Sequence, residues 1–204
     1  MATRVFLIRH GVTTWHEDDR LVGQRDVPLS QAGVAQSEKA AAALAEISVA
    51  DVIASPLQRA MQSAEIITAS HGIQVARDPR LTDFRVGEWS GMTFAELEKR
   101  SDYQRFLDTG EAMDGGEGLD EITERATAAI EQAVEDSPSG DDIAVVTHAG
   151  IIRVLLSSYL GATSGKWHQL RVSPGSISVL SFVSSADSPR VLAINHCSSL
   201  AEVL

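Results

Sequence analysis

The chain has 204 residues and carries 28 Asp and Glu against 17 Lys and Arg, a formal net charge of −11. That balance argues against a nucleic-acid binder, which needs a basic face, and 44% hydrophobic with 22% charged residues is the composition of a soluble globular protein with a sizeable core. A single cysteine, Cys197, excludes an internal disulfide and a thiolate zinc cluster and fits a reducing cytoplasm.

In chain order, the first apolar run covers residues 5–8 and reads as a buried strand stopped by Arg9 and His10; it is too short for a signal core or a membrane span, so neither export nor insertion is expected. An Ala-rich segment with helical spacing follows at 31–47, then a strand at 51–54. A helix over 57–69 repeats Leu57, Ala60, Met61, Ala64 and Ile67 on one face, with Ser55 as N-cap, Pro56 at the first helical position and Gln58 completing a capping box. Residues 90 to 121, with the Gly-rich stretch 110–118, read as a loop-rich lid insertion. A helix at 121–135 is ended by Ser137, Pro138, Ser139 and Gly140. Strands at 143–146, 177–182 and 191–194 complete the pattern, the last two pairing as a hairpin through the turn-rich connector 184–189. Strands that alternate with helices predict an α/β fold with a mostly parallel central sheet covered by helices, and 1–204 reads as one domain.

The informative pattern appears at the carboxyl ends of the strands, where open α/β sheets bind ligands and helix N-termini offer backbone donors. The first strand releases Arg9-His10-Gly11, the second Ser55-Pro56 with Arg59 one turn into the helix, and the strand at 143–146 leads to His148. Two arginines and two histidines converging on one end of the sheet suit an anion, and the planar donor fork of arginine suits phosphate. Taken singly, each residue has a plainer reading, a hydrogen-bonded strand-end histidine or a surface Arg59 paired with Glu65. A metal site built from His10, His148 and a carboxylate is the competing arrangement, disfavoured by two adjacent arginines.

These residues resemble the histidine phosphatase superfamily, the phosphoglycerate mutase-like proteins. Leu7-Ile8-Arg9-His10-Gly11 with Thr13 and Trp15 is similar to the opening motif, and Gly23 to Asp26 with Pro28, Leu29, Ser30 and Gly33 to the segment after it. Ser55-Pro56-Leu57 with Arg59, Ala60, Gln62 and Ala64 matches the second signature. Leu81, Gly87, Trp89 and Gly91 resemble the block carrying the acid, Gly115-Gly116-Glu117 a midchain block, and Val146-Thr147-His148 the second histidine strand. The resemblance implies a three-layer α/β/α sandwich in which His10 attacks a phosphoryl group and becomes phosphohistidine, with Arg9, Arg59 and a charged His148 around it. It also implies that Gly11 lets backbone approach the anion, while Thr13, Gly23 and Gln24 supply further substrate-binding donors; no metal or other cofactor is required.

Asp83 aligns with the usual catalytic glutamate, one methylene shorter, and is the candidate general acid; Glu88 is the reserve. Val12, His16, Arg85 and Ala149 also depart from the family pattern. The run Phe84-Arg85-Val86-Gly87 replaces the mutases' Arg-His-Tyr-Gly, and the Asp83 to His148 interval is short for a glycolytic mutase. The expected activity is therefore hydrolysis of a small phosphorylated metabolite, with a mutase and a non-catalytic phospho-ligand binder as alternatives. Among the other histidines, only His16 is close enough in sequence to face the pocket; Trp15, Trp89 and Trp167 are candidates to line it. The acidic set Glu111, Asp114, Glu117, Asp120, Glu121 and Glu124 reads as a solvated face that disfavours highly anionic substrates, unless Arg85, Lys99, Arg100 and Arg105 reverse it locally.

Overall fold

The apolar run near the N-terminus is the middle of strand β1 (Thr3–Arg9), whose side chains alternate between two cores. In this computed structural model, residues 2–197 are described except 70, 113, 138, 139, 163 and 185–187. Val5 and Leu7 pack into one cluster with Ile122, Ala126 and Ile130 of the helix α6 (Leu119–Glu135) and Ile151 and Leu155 of α7 (Ala149–Tyr159). Phe6 and Ile8 pack on the opposite face against Ala40 and Leu44 of α2 (Gln31–Leu44) and Ala60, Ala64 and Ile67 of α3 (Gln58–Thr68). A strand apolar on both faces needs helices on both sides, which gives three layers.

The sheet has six strands in the order β3-β2-β4-β1-β5-β6, with β2 at Val49–Ala54, β3 at Val75–Arg77, β4 at Asp142–Thr147, β5 at Ile177–Phe182 and β6 at Arg190–His196. The first four in this order run parallel, whereas β5 is antiparallel to β1 and pairs on its other side with β6 as expected. Because β2, β4 and β1 are neighbours pointing the same way, their carboxyl ends open on one edge.

The sequence reading differs from the structure in several places. The short edge strand β3 is too brief to show a period. The 90–121 segment is more helical than expected, with α4 at Phe94–Leu97, α5 at Ser101–Thr109 and the start of α6 at Leu119. The second helix begins at Gln58, with Leu57 at the N-cap and no side-chain cap from it. Its first N–H instead donates to Oδ1 of Asp26 at 2.7 Å, a cap from a distant loop, while the Ser55 hydroxyl accepts only a long bond from the Leu57 N–H at 3.4 Å and meets His148 in the site below. The second cap, Ser30 of α2, does follow the local rule, accepting from the Gly33 N–H. Pro138 and Ser139, and the middle of the 184–189 connector, lie outside the described residues. No helix among the described residues is long and apolar enough to cross a membrane.

Candidate active site

Arg9 and His10 leave the end of β1, His148 sits between β4 and α7 as the helix N-cap residue, and Arg59 occupies the first turn of α3. The structure brings all four together with Asp83 and buries three of them: His10 is 2% exposed, His148 1% and Arg59 not at all, with Arg9 and Asp83 partly buried beside them. The His10 and His148 rings meet edge to face with centroids 5.0 Å apart.

Arg59 is the hub. Its Nε donates to His10 Nε2 at 3.2 Å and its Nη2 donates to Asp83 Oδ2 at 3.0 Å. Two further N–H groups go to the carbonyls of Arg25 at 2.8 Å and Gly23 at 2.7 Å, which lock the guanidinium plane. On His10, Nδ1 lies 2.6 Å from the Gly11 carbonyl, which can only accept, so Nδ1 carries the proton and Nε2 keeps its lone pair. On His148, Nε2 bonds the Ser55 hydroxyl at 2.8 Å, and Nδ1 faces Asp83 Oδ2 at 3.6 Å without a hydrogen bond.

The loop carrying Asp83 is held from beneath. Arg125 of α6 donates to the carbonyls of Arg80 at 2.6 Å and Thr82 at 2.7 Å, and Thr147 Oγ1 donates to that of Leu81 at 2.7 Å. Glu117 closes the brace, pairing with Arg125 at 2.9 Å and accepting from the Arg85 N–H at 2.8 Å. Glu117 is thus buried and structural, a correction to its place in the solvated acidic set.

Burial dominates the electrostatics. It pushes His10 well below the ordinary histidine range, and the positive charges of Arg59 and Arg9 push the same way. Burial and then Arg59, His10 and Arg9 act likewise on His148, opposing the charged state expected for it. His16, whose ring is 5.6 Å from that of His10, is lowered to about 3 by burial, Arg9 and Arg59. Asp83 moves up, because burial outweighs the attraction of Arg59. Arg9 is pushed down to about 9 by burial and by Arg153; one of its nitrogens donates to the Val172 carbonyl at 2.7 Å, while its buried Nε has no hydrogen-bond partner.

The depressed histidines make stability depend on pH. Their stabilising contribution is complete above the unfolded histidine value near 6.5 and is lost as pH falls, because only the unfolded chain takes up the protons. His10, His148 and His16 each remove up to about 1.4 kcal/mol per pH unit, whereas Asp83, shifted upward, opposes them as one group against three. Thermal unfolding is expected at a lower temperature near pH 5.5 than near pH 7.5, with inorganic phosphate reducing the difference. A melting temperature unchanged across that range would contradict this electrostatic picture.

Other expected donors have different employment. The Gly11 N–H is taken by Ser63 Oγ at 3.2 Å, and a Cβ at Gly11 would lie 2.1 Å from the Gly33 carbonyl oxygen; close packing of two backbones, not approach to an anion, explains the glycine. The Thr13 hydroxyl caps α1 (Thr14–Glu17) and bonds His16 Nδ1 at 2.8 Å. Gln24 donates to the Asp83 backbone carbonyl at 2.9 Å, so it braces the loop instead of facing the pocket. Gly23 does line the cavity. Glu88 is exposed and off the cavity wall.

The cavity above these groups has a volume of about 520 Å³, within the range of small-molecule sites. One wall is an edge-to-face aromatic cluster of Phe84, Trp89, Phe106 and Trp167, so Trp89 and Trp167 line the pocket and Trp15 does not. Arg153 and Arg171, which carry no motif, also line it. A signal was available for Arg153: a lone charge inside the otherwise apolar run of α7, on the helix that follows His148. Arg85, Arg100 and Arg105 instead pair with Glu121, Asp102 and Glu111. Among the described residues no three His, Cys, Asp or Glu side chains are grouped to hold a metal ion.

Residues 5–196 match the family model for the histidine phosphatase superfamily (branch 1). The chain is 35% identical over 158 residues to phosphoglycerate mutase-like protein 4 of Arabidopsis thaliana, covering 74% of this chain and 68% of that protein. It is 32% identical over 187 residues to the probable phosphoglycerate mutase GpmB of Escherichia coli, covering 89% and 86%. Its structure superposes with a TM-score of 0.86 on a mycobacterial glucosyl-3-phosphoglycerate phosphatase solved with vanadate, at 26% identity and covering 96% of this chain and all of the other.

Proposed function

The protein belongs to the histidine phosphatase superfamily (branch 1), and from that membership we propose that it hydrolyses small phosphomonoesters through a phosphohistidine on His10. The observation that carries the reading is that one buried guanidinium, Arg59, touches both the His10 Nε2 lone pair and the Asp83 carboxyl group. Nucleophile and proton donor are thereby held on one template, facing one cavity.

In the first half-reaction His10 Nε2 attacks phosphorus in line, forming the N–P bond as the ester P–O bond breaks. Arg9 and Arg59 hold the non-bridging oxygens as charge redistributes over them, and the Arg59 to His10 hydrogen bond gives way to the substrate. Asp83, whose upward shift favours the protonated form, delivers its proton to the leaving oxygen. In the second half Asp83 takes a proton from water, the water oxygen attacks phosphorus, and the N–P bond breaks to return His10 and orthophosphate. The Ser55 hydroxyl fixes the His148 ring, whose other nitrogen faces the same carboxyl oxygen.

The named relatives favour a second reading, a mutase that transfers the phosphoryl group between positions of phosphoglycerate. The short lid and the outward pairing of Arg85, Arg100 and Arg105 support water as the acceptor. Phosphorus NMR of the purified protein with assorted phosphomonoesters and chelator separates the readings. Orthophosphate release at chelator-insensitive rates is expected; interconversion of 2- and 3-phosphoglycerate without release would replace hydrolase by mutase.

A further inference from the structure

We propose that Arg153 and Arg171 form a second anion subsite in the same cavity, which selects phosphomonoesters whose leaving group carries a negative charge of its own; the substrate part of this rests on the phosphatase reading. Both side chains line the cavity that reaches His10 and Asp83. Arg153, part-buried on α7, is aimed by a single bond from Nε to the Leu170 carbonyl at 2.7 Å, and among the described residues no hydrogen bond engages its terminal nitrogens. Arg171 follows on the chain segment that also supplies the Val172 carbonyl to Arg9, with Nε 3.5 Å from Ser173 Oγ. Among the described residues neither makes an ion pair with a carboxylate.

Charge counting then sets the requirement. Arg9, Arg153 and Arg171 line the cavity, and Arg59, bonded to the lining His10 and Asp83, adds a fourth positive charge at its base; each of Arg153 and Arg171 adds to the field that lowers Arg9. Of the acidic side chains on the lining, Asp83 is bound to Arg59 and is needed protonated for the leaving group, and Asp19 adjoins Arg20, itself a lining cation. A phosphoryl dianion offsets Arg9 and Arg59. The charge of part-buried Arg153 and exposed Arg171 remains, with terminal nitrogens that no hydrogen bond engages among the described residues, an arrangement that a carboxylate or a second phosphate satisfies and a neutral leaving group does not. The aromatic wall of Trp89, Phe106 and Trp167 supplies an apolar surface for the body of the same leaving group. The acidic residues that suggested avoidance of anionic substrates do not decide the matter, because none of the six lines the cavity, Glu117 is buried in the loop brace, and Glu111 and Glu121 pair with Arg105 and Arg85.

Matched aryl phosphates test the proposal. Phenyl phosphates bearing a carboxylate at the meta or para position are compared with the corresponding carboxamides, which are neutral and the better leaving groups, so that intrinsic reactivity works against the expected preference, and with a phenylene bisphosphate. For the protein as it exists, kcat/KM is expected to favour at least one charged member over its neutral counterpart by roughly ten- to a hundredfold. The ratio should collapse towards one in Arg153→Gln and Arg171→Gln and recover in part in Arg153→Lys, and preference for the bisphosphate over the carboxylate would identify the second group as phosphate. A ratio near one in the parent protein, or a ratio untouched by both glutamine substitutions, overturns the subsite. Should no ester be hydrolysed, the phosphatase reading fails separately, and calorimetric titration with benzylphosphonate, its carboxylated analogue and its carboxamide decides the subsite by the same ratio. Far-UV circular dichroism of the variants confirms that they are folded before either comparison is read.

Discussion

His10→Ala is expected to lower phosphate release by about 10⁴-fold or more, because it removes the atom on which the covalent intermediate forms and leaves only binding and electrostatic contributions. The same variant retains Arg9, Arg59 and Arg153, so inorganic phosphate or a phosphonate should still bind. That pairing of outcomes separates an enzyme from a phospho-ligand binder. A binder would lose affinity without having shown turnover, whereas an enzyme loses turnover and keeps a ligand-dependent rise in melting temperature. The substitution also removes one of the histidines whose protonation is suppressed by burial. Unless the vacated space costs more, the variant should therefore be less sensitive to acid than its parent. Turnover within tenfold of the parent would take His10 out of the reaction.

Asp83→Asn is the second large effect, and its size should depend on the leaving group. With alkyl phosphates, whose alkoxide must be protonated as it departs, a loss of about 10²- to 10⁴-fold is expected; with p-nitrophenyl phosphate, whose phenolate leaves unaided, the formation of phosphoenzyme should be nearly unaffected. The parent protein carries the same information in its pH profile. Asp83 is shifted upward by burial, so alkyl-ester hydrolysis should fall on the alkaline side as that carboxyl group ionises, and p-nitrophenyl phosphate should lack this limb in its first half-reaction. Glu88→Gln is expected to change either rate by less than about threefold, since Glu88 is exposed and off the cavity wall. A leaving-group-dependent loss at Glu88 and none at Asp83 would exchange the two assignments.

Which parts of this site were legible in the sequence follows from how each group is positioned. Arg9, His10 and His148 stand at the ends of strands β1 and β4, and strand ends are visible as the last residue of a short apolar run. Arg59 was legible because one helical turn after a strand is a fixed offset. Ser55 was misread by the same local logic. A serine before a proline looks like an N-cap, but Asp26 caps that helix from another loop, and the hydroxyl holds His148. Gln24 and Thr13, expected to offer donors to the substrate, are both off the cavity lining; their hydrogen bonds run to the Asp83 carbonyl, a partner fixed by tertiary structure, and to His16 within the local cap. The Glu117 to Arg125 brace spans an ordinary helical approach but acts on residues 80–85, a relation with no local signature. Arg171, on an irregular segment, offered no period or motif at all. The short β3 and the helices α4 and α5 were missed because three to nine residues give too few repeats to distinguish strand, helix and loop.

The charge of −11 acquires a structural meaning in this light. Exposed Glu121 and Glu111 pair with exposed Arg85 and Arg105, while Arg9, Arg153 and Arg171 line one cavity with Arg59 bonded to His10 at its base. Field lines from such a cluster are focused by its low-dielectric aromatic wall, which favours capture of an anion by an acidic protein.

The most direct test is to trap the phosphoenzyme. A substrate carrying a radiolabelled phosphoryl group is mixed with the protein and quenched in alkali within milliseconds to seconds, and the labelled peptide is identified. The expected result is an alkali-stable, acid-labile phosphoryl group on His10, absent from His10→Ala. It should accumulate to a higher level in Asp83→Asn with p-nitrophenyl phosphate, where attack by water lacks its base. Sustained turnover with no label on His10, or with label on another residue, would contradict the mechanism.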